Sequence, residues 1–410
     1  MQLHRTKRLV SYLILPFLII SVFSMPAESK KESPVQCPVF HKGMCYTTWN
    51  KDSFAGKNSD ESLQSMADTG ANCVAIVVTW YQDNFNSVAM KRTDRTPSDQ
   101  SLRHAIRRAH KLGMAVTLKP HVDLENQQDS WRADIGFQSD DKWKEWFANY
   151  ARYITHYARL AEAEGVEFFC VGTELTFAST KTDLWKNLII PEVRKAFSGK
   201  ITYAANWDEY SAVQFWDDLD YAGIDAYFSL SRNLNPSFDE IKEGWKKWVG
   251  EIEAWQATVK KPVLFTESGY CSSDTAARRP WEEAVSGPPN LALQADCYRA
   301  LFETFWDKPW FAGVYWWNWT TSANGSTSNR RFSPQNKPAL EYVKQWYTKP
   351  IERIPAAEVE IPAAVAAEQE LQNLPSPAPV IPVTFTGVGN APGLNMVQPP
   401  LRTAESDKKD

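Results

Sequence analysis

The sequence predicts an α/β chain, a single (β/α)8 barrel over residues 41 to 350 followed by a disordered C-terminal tail. Three observations carry that expectation. Eight short segments are near-continuous apolar runs, as parallel strands covered on both faces must be. Helical segments lie between them, and no two-residue hairpin turn joins one strand to the next. The region also has a length within the range such a barrel occupies, toward its upper end. An open doubly wound sheet would want a Gly-x-Gly-x-x-Gly turn after the first strand, and the sequence has none there.

The first strand is read at 42 to 49 (KGMCYTTW) and the second at 72 to 80 (NCVAIVVTW). In SLRHAIRRAHKLG, Leu102, Ala105, Ile106 and Ala109 recur at helical spacing, and Gly113 stands where a C-cap belongs. The third strand, 114 to 121 (MAVTLKPH), leads to DKWKEWFANYARYITHYARLAEAEG, which Gly165 ends in the same way. After the fourth, 166 to 174 (VEFFCVGTE), comes LWKNLIIPEVRKAF, where Pro191 implies a break or a late helix start. The fifth and sixth are 201 to 207 (ITYAANW) and 221 to 228 (YAGIDAYF). The seventh, 262 to 268 (PVLFTES), leads to NLALQADCYRALFETFW, and the eighth, 311 to 319 (FAGVYWWNW), to KPALEYVKQWYT, which closes the barrel. The strand-helix alternation is expected eight times over.

The two ends read differently. In residues 1 to 27, Arg5, Lys7 and Arg8 precede an apolar stretch from Leu9 to Phe23, with small residues at Ser24 or Ala27 for cleavage, the pattern of a secretory signal. That run, interrupted by Pro16, falls short of the ~20 apolar residues a membrane span needs. A secreted or periplasmic protein with no stable membrane association after cleavage is expected. Residues 28 to 40 are read as a linker. Residues 351 to 410 turn to IPAAEVEIPAAVAAEQE and LPSPAPVIPV, a Pro/Ala-rich tail with no period that could bury a face.

Composition narrows the function. The formal net charge is -4, and loss of the three basic signal residues takes it to about -7 by the same count, which offers nucleic acid no attractive surface. The basic cluster RHAIRRAHK at 103 to 111 is the wet face of an amphipathic helix. Six cysteines are too few and too widely spaced to staple the domain, and no CxxC or HExxH pattern suggests a metal; Cys170 reads as a small hydrophobe inside a strand. No organic cofactor is signalled.

In a (β/α)8 barrel the working groups come from the C-terminal strand ends and the loops beyond them. Those ends carry Trp49, Trp80, His121, Glu174, Asn206, Trp207, Tyr227, Glu267, Trp316 and Trp317. Glu174 and Glu267 each follow a threonine at the end of an apolar run, on strands four and seven, which lie across the mouth from one another. Two carboxylates facing across a cleft are the working pair of glycoside hydrolysis, one as acid and the other as nucleophile or base. Indoles supply wide rigid faces for the C–H surfaces of sugar rings. Trp143, Trp146, Trp245, Trp248 and Trp255 fall in helices and read as packing residues instead. His121 and Lys119, in LKPHVD, are as readily structural as functional, and Asp225 reads as a buried hydrogen-bonded residue.

The pattern of VGTEL, GIDAYF, FTESGY and VYWWNW resembles clan A of the glycoside hydrolases, and within it most closely the family 113 β-mannanases. The likeness covers about residues 41 to 348. It implies a retaining endo-β-glycosidase acting on a polysaccharide or oligosaccharide, foremost β-1,4-mannan, with Glu174 as acid/base and Glu267 as nucleophile. It also implies that Tyr227 stands beside the nucleophile and that Trp317 or Trp316 lies under the sugar being cleaved. Most of the clan places Asn before the acid/base; here Thr173 stands there, and Asn206 is a candidate for the missing contact. Another β-linked glucan or xylan as substrate, and a non-catalytic glycan-binding barrel, are the competing readings. A monomer is expected.

Overall fold

A computed structural model describes residues 35–127, 130–283, 287–322 and 325–351. The segment read as a secretory signal, the N-terminal part of the expected linker and the expected tail beyond residue 351 lie outside the described residues. Eight parallel strands close into a barrel in chain order. They are β1 (His41–Thr47), β2 (Cys73–Gln82), β3 (Ala115–Leu124), β4 (Phe168–Thr173), β5 (Lys200–Asn206), β6 (Tyr221–Asp225), β7 (Val263–Ser268) and β8 (Phe311–Thr320). Around them run α1 (Lys57–Ala67), α2 (Asp99–Lys111), α3 (Asp140–Glu164), the short α4 (Thr176–Ser179) and α5 (Thr182–Leu184), then α6 (Ile190–Ala196), α7 (Phe238–Val259), α8 (Leu291–Phe305) and α9 (Ala339–Tyr347).

Local chemistry explains the boundaries. The Ser98, Ser139 and Ser237 side chains each accept a backbone N–H in the first turn of α2, α3 and α7, satisfying donors the helix leaves open. Gly165 ends α3 at φ 69°, a left-handed conformation that glycine adopts without strain. Pro191 acts as expected: the chain passes through a π-helical turn at Trp185–Ile189 and becomes a regular helix only from Ile190.

One expectation is corrected. Among the described residues no α-helix joins β5 to β6, and the connection holds only a 3-10 turn at Trp216–Asp218. In the fourteen residues between these strands Phe215 and Trp216 cover the barrel in place of a helix, packed on Trp185, Tyr203 and Trp255.

Register positions the site. β2 and β3 pair over ten residues, from Cys73↔Ala115 to Gln82↔Leu124, whereas β3 and β4 pair only at Thr117↔Phe168 and Leu118↔Phe169. Beyond Leu118 the ladder between these two strands stops although β4 continues to Thr173, and in this register only Asp123 and Leu124 pass its end. Alternation sends Thr117, Lys119, His121 and Asp123 to the same face. Inside the barrel, Gly43 leaves room for the ring of Tyr315: a Cβ there would lie 2.3 Å from its Cδ1. Outside, Trp143, Trp146 and Trp245 are buried between helices and strands, with Trp248 and Trp255 packed beside them, as their helical positions imply.

Candidate active site

The two glutamates reach the mouth by different local means. β7 carries Glu267 within the strand, next to a register shift against β8 between Phe265 and Ser268. Glu174 lies one residue beyond β4, at φ 52°, with its N–H still donating to the Ala204 carbonyl at 2.8 Å. A left-handed residue that is not glycine costs of order 1–3 kcal/mol and needs its surroundings to hold it. The hold is visible. The next N–H, of Leu175, donates to the Tyr203 hydroxyl at 2.9 Å. That hydroxyl donates to Glu209 Oε1 at 2.7 Å, and Glu209 Oε2 accepts the Asn206 N–H at 3.0 Å. The loop bearing Glu174 is thereby tied to the end of β5.

Both carboxylates are nearly excluded from solvent. Glu267 Oε1 accepts from the Lys119 ammonium at 2.5 Å, and Oε2 accepts from the Tyr227 hydroxyl at 2.8 Å. Glu174 Oε2 accepts from Arg132 at 2.8 Å, and the same guanidinium donates to Asp123 Oδ1 at 2.8 and 2.6 Å. Burial pushes the Glu174 carboxyl well above the usual carboxylate range; Arg132 and Lys119 pull the other way, while Asp225 and Glu267 reinforce the rise. The site thus sets a carboxyl that burial shifts toward its neutral form beside a second one, Glu267, that meets a donor at each oxygen.

Lys119 lies below this pair. Its ammonium is 3.1 and 3.3 Å from the oxygens of Asp225 as well as 2.5 Å from Glu267. Burial alone would lower its pKa, but the charges of Asp225 and Glu267 outweigh that and hold it above the usual lysine value. Asp225 is pushed up to about 7 by burial and by Glu267, against the opposing pull of Lys119 and of the Thr266 hydroxyl. His121 is kept neutral by burial, by Arg132 and by Lys119; its ring lies parallel to the Trp317 indole at 6.1 Å, and its Nε2 is 3.7 Å from Glu267 Oε1.

The structure brings Glu174, Glu267, His121, Asn206, Tyr227, Trp207 and Trp317 to the mouth. Trp317 and Trp207 pack with Tyr227, Trp281 and Phe332 into an aromatic wall beside Glu267, Trp207 lying against Trp281 at 5.6 Å. Trp49 lies just past β1 and is exposed. The Asn206 side-chain oxygen accepts the Trp207 N–H at 3.0 Å, which leaves its amide N–H groups as the part with protons to donate.

Two expectations are corrected. Trp316 is fully buried on the outer face of β8, stacked on Tyr298 at 3.8 Å, and is a packing residue. Trp80 points outward from β2, its indole N–H donating to the Tyr157 hydroxyl of α3 at 2.6 Å. Strand alternation is the cause in both cases, since neighbours along a strand face opposite sides. Arg132 lies in a 3-10 turn whose residues carry no periodic signal that could point to it. Lys119 was legible in part, because Lys119, His121 and Asp123 alternate on one face of an apolar strand.

Among the described residues no group of three or more His, Cys, Asp or Glu is placed to hold a metal ion, and no helix is long and apolar enough to cross a membrane. Cys45, Cys73, Cys170 and Cys297 are buried free thiols.

A closed barrel with two carboxylates and an aromatic wall at its C-terminal mouth defines a glycoside hydrolase. Residues 44–337 match the model of glycoside hydrolase family 113, and the chain belongs to that family. A solved complex of a family 113 β-1,4-mannanase is similar at 30% identity and TM-score 0.69, over 76% of this chain and 99% of the other. A family 113 β-mannanase from Alicyclobacillus acidocaldarius, solved in complex with ManMIm, is similar at 27% identity and TM-score 0.68, over 77% and 99%. A family 5 glycoside hydrolase from Streptomyces cattleya, in complex with Manβ1-4GlcNAc, shares the fold at 14% identity and TM-score 0.53, over 76% and 82%. No curated protein matches the chain by sequence.

Proposed function

We propose that this enzyme is a retaining, endo-acting β-mannanase that cleaves β-1,4-mannan by double displacement. The observation that carries the reading is the asymmetry between the two carboxyls. Burial shifts Glu174 toward the protonated form, whereas Glu267 is met by a donor on each oxygen, from Lys119 and Tyr227. In the first step Glu267 attacks the anomeric carbon as the bond to the leaving oxygen breaks, and Glu174 gives that oxygen its proton. The products are a glycosyl ester on Glu267 and a departing sugar alcohol. In the second step water attacks the same carbon, Glu174 takes the water proton, and Glu267 leaves as a carboxylate.

The mannan substrate is supported by the β-mannanases of the same family to which the chain is similar over nearly their whole length. Action within a polymer is supported by the rim. Of the five exposed large apolar side chains among the described residues, Trp49, Phe85, Phe177 and Leu234 all stand on the connections that follow C-terminal strand ends, Phe177 in the short α4, where successive sugar units would pass. The test is hydrolysis of mannan, glucomannan, xylan and mixed-linkage glucan, with the anomer of the first product read by proton NMR. Release of β-anomeric manno-oligosaccharides is expected. An α-anomeric first product contradicts retention, and a preference for xylan or glucan contradicts the substrate.

A further inference from the structure

Beneath Glu267 lies a charged pair to which double displacement assigns no task. Lys119 comes from β3, Asp225 from the end of β6, and both are buried away from the cleft. An ammonium has three protons to place. The acceptors around this one are the Asp225 carboxylate, the Thr266 carbonyl at 3.4 Å and Glu267 Oε1. Asp225 is itself fixed by the Thr266 hydroxyl, which donates to Oδ1 at 2.7 Å. Two neighbouring strands therefore set where the cation sits and where its remaining proton points, onto Oε1.

We propose that Lys119 and Asp225 are a positioning pair for Glu267, in which Lys119 orients the carboxylate and Asp225 stays behind as the counterion of Lys119 whenever Glu267 is esterified. The inference rests on Glu267 being the nucleophile of a retaining reaction. Its physical reason is the change of charge in the cycle. Glu267 is an anion before attack and again after hydrolysis, but a neutral ester between. A lysine buried with Glu267 alone would lose its only countercharge in the intermediate, an expensive state in a site closed to water. With Asp225 present the cation stays paired throughout. Without it, Lys119 would draw on Glu267 alone, stabilising the free carboxylate over the ester. Ester formation should then slow, and ester breakdown, in which the carboxylate leaves, should not.

The experiment separates those steps in the full chain, using an activated 2-deoxy-2-fluoro β-mannobioside as the probe and Asp225→Asn as the variant. The rate of covalent labelling of Glu267 is expected to fall at least about tenfold, and the rate at which the isolated labelled enzyme reactivates in buffer is expected to stay level or rise. Lys119→Arg, which keeps the charge, should retain more labelling than Lys119→Met. If Asp225→Asn does not fold, Thr266→Val, which removes only the hydroxyl on Asp225, is expected to move the same two rates in the same directions by less. Labelling and reactivation both unchanged, or both slowed alike, would overturn the pair while leaving the nucleophile in place. A wild-type enzyme labelled elsewhere than Glu267 would overturn the underlying reading and this inference with it.

Discussion

The two ends of the barrel interior bury polar groups in opposite ways. At the N-terminal end His41 Nδ1 and Thr117 Oγ1 both meet the Tyr315 hydroxyl at 2.7 Å, and burial drives the His41 pKa down to about 3, so this chain of groups is neutral. The rings of Phe168 and Tyr221 pack edge-on against His41. Two residues beyond Thr117 on β3 and four beyond Tyr221 on β6 the interior takes on ionisable groups, Lys119 and Asp225, joined by Glu267 of β7, with Arg132, Asp123 and Glu174 above them. Neutral hydrogen bonds suit a region whose task is to hold the strands, because they leave no charge to desolvate. A cluster of buried charges is poor evidence for stability and good evidence for chemistry. Substitutions at the mouth should therefore act on turnover, and those at the opposite end on folding.

The largest effect is expected from Glu267→Ala, which should bring hydrolysis of every β-mannoside to background while the melting temperature holds or rises. Glu174→Ala comes next. It should cost about 10²–10⁴-fold on sugar leaving groups, which need a proton, and far less in the glycosylation step of an activated aryl glycoside. Added azide should restore turnover and yield a β-glycosyl azide, since a small anion needs no general base. Equal losses on both substrate types without rescue would remove Glu174 from the acid/base role.

Arg132→Gln sharpens the electrostatic side. Glu174 must be protonated for bond cleavage, so its ionisation sets the alkaline limb of kcat/KM, well above the ordinary carboxylate range. The Arg132 cation favours the ionised form, so its loss should move that limb to higher pH, alongside an activity loss of about tenfold from misplacement. A limb that moves to lower pH would contradict the assignment.

The opposite end should respond in the opposite way. Tyr315→Phe leaves His41 and Thr117 without their shared partner and should cost about 1–3 kcal/mol, read as a lower midpoint in chemical denaturation. Turnover per folded molecule should stay within about twofold. The smallest effect is expected on the rim, where Phe177→Ala should raise KM for mannohexaose several-fold.

The contrast also marks what the sequence could disclose. Buried parallel strands announce themselves as apolar runs, so β2, β4 and β7 and the glutamates ending two of them were readable. The choice between Trp316 and Trp317 was not, because it depends on strand parity, and the register of β8 shifts against both neighbours. The missing helix before β6 shows that strand alternation does not dictate what fills a short connection. Arg132 meets Glu174 across 42 residues of chain, and Lys119 meets Glu267 across 148. Such pairings exist only once the barrel has closed.

The central claim is that Glu267 is the nucleophile and the neighbouring carboxyls are not. It is tested most directly by trapping the wild-type enzyme with the activated 2-deoxy-2-fluoro β-mannobioside, digesting it and sequencing the modified peptide by mass spectrometry. A single fluoroglycosyl ester is expected in the peptide containing FTESGY, on Glu267. A label on Glu174 or Asp225, or turnover of mannan with no covalent adduct at all, would contradict it.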